Sequence, residues 1–141
     1  MAVVVVAEKP SVARDLAAVL GASRRSPSAI SGNGYLVTWA VGHLVGISEP
    51  GQMQAEWKVW RFDRLPILPR DWPLTPIPQT KDHFDQVARI LTAPDTERIV
   101  CATDAGREGE LIFRYIYRLS GATAPVQRLW VSSLTPEAIR E

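Results

Sequence analysis

The sequence predicts an α/β fold, a mostly parallel central sheet flanked by helices. Three observations carry that expectation. Val3 to Ala7 is a continuous apolar run of strand length with no polar alternation, the pattern of a strand buried on both faces of a parallel sheet. Such runs alternate with segments whose apolar residues recur at helical spacing, as in layered α/β domains. Two of the runs lead directly into carboxylates, at Glu8 and Asp104, where open parallel sheets gather their ligands.

The elements follow in order. Pro10 and Ser11 open a helix carrying Val12, Leu16, Val19 and Leu20 on one face, and Gly21 is its expected stop. Strands are expected around Ala29–Ile30 and Tyr35–Val41, joined by the hairpin signal Ser31-Gly32-Asn33-Gly34. From Pro50 to Pro94 the character changes, because seven of the 11 prolines lie there and preclude long regular elements. Residues about 50 to 80, with Trp57, Trp60 and Trp72, read as a proline- and tryptophan-rich insertion that wraps the domain and buries its apolar side chains. A helix follows near Asp82, with Phe84, Val87, Ala88 and Leu91 on one side. Arg98 to Ala102 is the next strand, and a helix after Glu110 carries Leu111, Ile112, Tyr115, Ile116 and Leu119. Arg128 to Val131 is a further strand, and Thr135-Pro136 starts a last helix with an N-cap threonine and a proline in its first turn. The chain ends within that helix, which suggests a single domain, residues 1–141, taken from a longer protein.

Composition narrows the class. A chain of 141 residues with 46% hydrophobic and 22% charged side chains is globular rather than disordered. No apolar run is long enough for a membrane helix, and the start lacks a secretory leader, so the cytoplasm is the expected location, with no membrane partner. The single cysteine, Cys101, leaves no internal disulfide and agrees with a reducing compartment. Net charge is +1, from 16 basic and 15 acidic residues, so charge alone gives little grip on a polyanion.

The acids are the chemical signal. If the strands before Glu8 and Asp104 are neighbours, Glu8, Asp104 and Glu108 converge at one sheet edge. Two carboxylates about 5 Å apart repel by roughly 3 kcal/mol at an effective dielectric near 20, so such a cluster calls for a proton, a cationic side chain or a divalent metal. Oxygen donors without histidine or cysteine favour Mg²⁺ over zinc. The bland alternative is that Glu108 and Glu110 merely suit a helix N-terminus and Glu8 is solvated in a turn. Gly106 and Gly109 flank the acids, where backbone amides can approach a phosphate. Arg107 could hold a phosphate or make a structural ion pair.

Three motifs then carry a family resemblance. Ala7-Glu8-Lys9-Pro10-Ser11-Val12-Ala13 resembles the opening of type IA DNA topoisomerases of the topoisomerase III kind, and Val37-Thr38-Trp39-Ala40-Val41-Gly42-His43-Leu44 resembles their next signature. Thr103 to Glu110 resembles the Asp-x-Asp-x-Glu motif of the Toprim domain, a Rossmann-like fold. The motifs occur in family order, and the likeness covers nearly the whole chain. It implies ATP-independent change of DNA topology by transient single-strand breakage, with Mg²⁺ as cofactor. Single-stranded DNA and the remaining domains of a parent topoisomerase are the implied partners, at the nucleoid. Glu8, Asp104 and Glu108 carry over as metal ligands, with Glu8 and Lys9 in the catalytic set. Lys9 is implicated in donating a proton to the leaving sugar oxygen, and Arg107 is a candidate for holding the phosphate. Gly106 stands where the family usually has aspartate, which puts tight or two-metal binding in doubt. A Toprim nuclease or primase, or a non-catalytic metal- or nucleotide-binding module, is the rival reading.

Other residues point elsewhere. His43 has no cysteine or histidine partner at ligand spacing, which argues against zinc and for a structural or DNA-backbone role. Trp57, Trp60, Arg61 and Trp72 could stack single-stranded bases, but packing is the expected role of aromatics in such a wrap. Tyr35, Tyr115 and Tyr117 lack the context of the family's nucleophile, which lies in another domain. Ser11 and Ser132 lack the neighbours that serine catalysis needs.

Overall fold

Strand β1 (Ala2–Ala7) lies inside a six-stranded sheet in the computed structural model, which describes residues 1–131 and 133–140. Its neighbours are β4 (Tyr35–Trp39) and β7 (Thr96–Ala102), both parallel to it. Beyond β7 lies β8 (Val126–Arg128), again parallel, while β3 (Ala29–Gly32) and β2 (Arg24–Arg25) extend the other side antiparallel. The order is β2-β3-β4-β1-β7-β8, so the sheet is mostly parallel, as the apolar runs imply.

The unbroken valine run has a direct cause. Val4 and Val6 face a core shared with Phe84, Val87, Ile112, Phe113 and Ile116. Val5 and Ala7 face the opposite core with Ala13, Leu16 and Ala17. Successive side chains alternate between faces, and both faces are covered, so no position tolerates a polar residue. Helix α1 (Pro10–Leu20) covers the second face and ends at Gly21, whose φ of 76° is the left-handed cap conformation. Its deeply buried residues are Ala13, Leu16 and Ala17, with Val12, Val19 and Leu20 only half-buried. The small alanines set the buried stripe because they let the helix close on the sheet. Asn33 and Gly34, with φ of 52° and 80°, make the tight turn between β3 and β4, and the Asn33 amide donates to the Leu20 carbonyl at 2.9 Å.

Helices α3 (Lys81–Leu91) and α4 (Arg107–Ser120) cover the first face. On α4 the structure corrects the expected stripe. Phe113 is fully buried, whereas Leu111 is 41% exposed. The last sheet strand also ends at Arg128 rather than beginning there, and α5 (Pro136–Arg140) packs beside α1, with the Ala138 amide donating to Thr135 Oγ1.

The insertion departs further from expectation. It contains the four-residue helix α2 (Pro50–Met53), 3₁₀ turns at Ala55–Lys58, Phe62–Arg64 and Pro78–Thr80, and strand β6 (Leu74–Pro76), paired antiparallel with β5 (Val45–Ile47). Its side chains are not buried as expected: Trp60 is 74%, Phe62 93%, Leu68 75% and Trp72 58% exposed. Turns this short present no continuous apolar face, so cover is partial at best, at Met53, Trp57 and Ile67 and along Leu74 to Ile77 by the β5–β6 ribbon. No helix among the described residues is long and apolar enough to cross a membrane.

Candidate functional site

Ala7 pairs with Ala102 across the parallel β1–β7 ladder, so the residues that follow each strand emerge side by side. Glu8 follows β1 and Asp104 follows β7 by way of buried Thr103. The Asp104 amide donates to Glu8 Oε2 at 2.9 Å. Residues far apart in sequence are thereby joined at the carboxyl edge of the sheet. Asp104 itself is exposed, and Glu8 is half-buried.

Glu108 lies in the first turn of α4 with its side chain 77% exposed, and its Oε1 is 3.3 Å from His43 Nε2. His43 thus contacts the acid motif rather than standing apart from it. Lys9 and Arg107 are both exposed, and neither forms a salt bridge among the described residues. Lys9 does not pair with Glu8, whose carboxylate takes the Asp104 amide instead. Two contacts are thus made, Glu8 with the Asp104 amide and His43 with Glu108, but the three acids are not drawn into a ready-made cage. Among the described residues no three acidic, histidine or cysteine side chains are gathered as a metal group.

The two glycines of the turn differ. Gly106 has φ −143° and ψ 171°, ordinary extended backbone, and a Cβ there would meet nothing within 4 Å. Gly109 is buried, and a Cβ would drive into the backbone carbonyl of Asp104. Its smallness lets α4 start hard against the β7 turn, so packing against the Asp104 backbone alone requires a glycine here. Beside Asp104, a cleft of about 250 Å³ opens between Val12, Ala105, Leu129 and Leu134.

Glu110 turns away from this edge. Its Oε1 is held by Arg114 at 2.7 Å and its Oε2 lies 3.6 Å from Arg128. Arg128 also reaches Thr103 and the Asp104 carbonyl. Sequence reasoning missed Arg128, since an arginine in a three-residue strand offers no motif. Its only signal was a long cation at the end of a strand that leads toward the acid motif. Tyr117 donates to the Ala124 carbonyl at 3.0 Å, and Tyr35 and Tyr115 are half-buried against the cores. Cys101 is buried and free. Ser11 is exposed, and Ser132 lies outside the described residues.

Comparison with known proteins follows this geometry. The Toprim domain model matches residues 3–134. A DNA topoisomerase 3 of Shouchella clausii is 46% identical over 137 residues, which is 97% of this chain and 19% of that protein. The DNA topoisomerase 3 of Bacillus subtilis is 46% identical over 138 residues, and that of Bacillus anthracis 45%, each across 98% of this chain and 19% of the relative. The chain thus spans about a fifth of the length of these relatives.

Proposed function

The chain belongs to the Toprim domain family, and on that premise we propose that it is the metal-binding domain of a type IA DNA topoisomerase of the topoisomerase III kind. Residues 1–141 form one such domain, working with further polypeptide on single-stranded DNA in the cytoplasm, at the nucleoid. The observation that carries this reading is the meeting of Glu8 and Asp104 at the carboxyl edge of two adjacent parallel strands.

Toprim domains in general bind divalent metal ions. The donor set here suits a hard cation: Glu8, Asp104 and Glu108 offer only carboxylate oxygens, and the single thiol, on Cys101, is buried. These three acids are the proposed Mg²⁺ ligands. Each keeps an oxygen free of the contacts just described, since the Asp104 amide takes Glu8 Oε2 and His43 takes Glu108 Oε1. When bound, Mg²⁺ supplies positive charge against the phosphate and the 3′ end of the strand.

The remaining work falls to the chain's own side chains. A tyrosine elsewhere in the enzyme bonds to phosphorus, the bond to the 3′ oxygen breaks, and that oxygen needs a proton. Lys9, exposed beside Glu8, donates it and recovers it when the 3′ hydroxyl reverses the step. Arg107, at the start of α4 and without an acidic partner among the described residues, holds a phosphate oxygen by a charge-assisted bond. Because the phosphodiester energy is kept in the phosphotyrosine bond, no ATP is consumed.

A chimera tests the proposal. This chain, substituted for the matching 138 residues of the Bacillus subtilis relative, is expected to relax negatively supercoiled DNA in Mg²⁺. Lys9→Ala in that chimera should slow cleavage by roughly 10²–10⁴-fold, the usual worth of a general acid, and Glu8→Ala should be similarly severe. A folded chimera whose activity ignores both substitutions would overturn the roles. Metal-dependent nicking by the 141-residue chain alone, abolished by Asp104→Ala, would replace the topoisomerase reading with a nuclease.

A further inference from the structure

Arg128 ends β8 directly beside Cys101 of β7, with its side chain only 12% exposed. One terminal nitrogen donates to Thr103 Oγ1 at 2.8 Å and lies 2.7 Å from Cys101 Sγ. The other donates to the Asp104 carbonyl at 2.6 Å. The Nε atom is buried without a hydrogen-bond partner among the described residues, so the attachments run through the outer nitrogens, toward the Thr103–Asp104 turn. The guanidinium also lies over the Trp130 ring, 5.4 Å from its centroid.

A nearly buried cation beside an aspartate would ordinarily seek its carboxylate. Here it takes the Asp104 carbonyl, and Glu110, 3.6 Å away, supplies the counter-charge. The same residue is held on its other side, in the preceding peptide group, where the Asp104 amide donates to Glu8. Gly106 adds a third tie by donating to the Asp104 carbonyl at 2.8 Å. Both backbone polar groups of Asp104 are thus fixed while its side chain stays exposed at the sheet edge.

We propose that Arg128, neutralised by Glu110, is a positioning residue that pins the Asp104 backbone and so presents the Asp104 carboxylate outward to a divalent cation. This rests on the reading of Asp104 as a metal ligand, and it adds a residue pair outside the three proposed ligands. Arginine is required because its fork spans Thr103 and the Asp104 carbonyl at once, which a lysine ammonium reaches less well.

The experiment compares the unmodified chain with Arg128→Met, Arg128→Lys and the double variant Arg128→Met/Glu110→Gln. Three readouts are Mn²⁺ affinity by calorimetry, amide hydrogen exchange at Asp104 and Gly106 without metal, and melting temperature. Arg128→Met is expected to weaken Mn²⁺ binding by roughly 10–100-fold, the usual cost of losing a residue that orients a ligand, and to speed exchange at both amides. The double variant removes both charges together and should recover the melting temperature but neither affinity nor amide protection. Affinity and protection that return with stability in the double variant would show mere packing and overturn the proposal. If Arg128→Met does not fold, Arg128→Lys decides: unmodified affinity and protection there also overturn it. Should the unmodified chain bind no Mn²⁺, the metal reading fails by itself. Amide exchange then still judges the positioning, and unchanged protection in the variants rejects it.

Discussion

Gly106 and Gly109 share one turn and face opposite constraints. Gly106 caps α4 in extended backbone with open space around its Cα, so an aspartate fits without strain and is itself a favoured cap. The unmodified chain is expected to bind Mg²⁺ weakly, one ion at most. Gly106→Asp should tighten binding at least severalfold in calorimetry, with the melting temperature unchanged or slightly raised. Tight binding of two ions by the unmodified chain would contradict this. Gly109 has no such room, because a methyl group there meets the Asp104 backbone rather than a flexible side chain. Gly109→Ala should destabilise the fold by about 2–3 kcal/mol in urea titration, the ordinary cost of overpacking a tight contact. A change near zero would mean that α4 can slide away from the turn. The acids were legible in the sequence as a strand-to-helix motif. The distinction between the two glycines was not, since it depends on which backbone lies across from each.

Two phenylalanines show the same contrast between elements. Phe113 sits on α4 and is fully buried against β1 and α3, whereas Phe62, in a 3₁₀ turn, is 93% exposed. Phe113→Ala should cost about 3–5 kcal/mol, combining lost transfer energy with a cavity. Phe62→Ser should change stability by less than about 0.5 kcal/mol, as surface substitutions usually do. Equal effects at the two sites in chemical denaturation would mean that the insertion packs in solution more closely than described. Helices α1, α3 and α4 were readable because apolar residues at helical spacing mark a buried face whatever it packs against. The insertion misled for the complementary reason. A high density of tryptophan and proline signals apolar content, but segments of three or four residues cannot align that content on one side.

At the scale of the whole molecule, the chain has two covered sheet faces and an acid edge, and its tyrosines are engaged in packing or hydrogen bonding. Its net charge of +1 leaves it little hold on phosphate by charge alone. The purified chain should therefore unfold in one cooperative transition, yet neither relax supercoiled plasmid nor form a covalent DNA adduct, with or without Mg²⁺. An adduct trapped on the chain alone would mean that one of Tyr35, Tyr115 or Tyr117 is a nucleophile after all.

The sequence by itself determined the conformations that local sterics and patterning dictate. The valine run of β1, the Asn33-Gly34 turn, the stop at Gly21 and the acid-bearing turn after β7 were each readable within a short window. Steric limits on φ and ψ and the spacing of apolar residues act over a few positions, so a local stretch contains them. Which elements become neighbours is decided by how the faces of one sheet are covered, and no short window holds that information. Only the tertiary structure seated β7 beside β1, so that the Asp104 amide meets Glu8 across 96 positions. It alone turned His43 toward Glu108 and left Trp60 and Phe62 outside. It also carried Arg128 from β8 under the turn to hold Asp104, because a long side chain nearly withdrawn from water must find its partners wherever the packed sheet brings them.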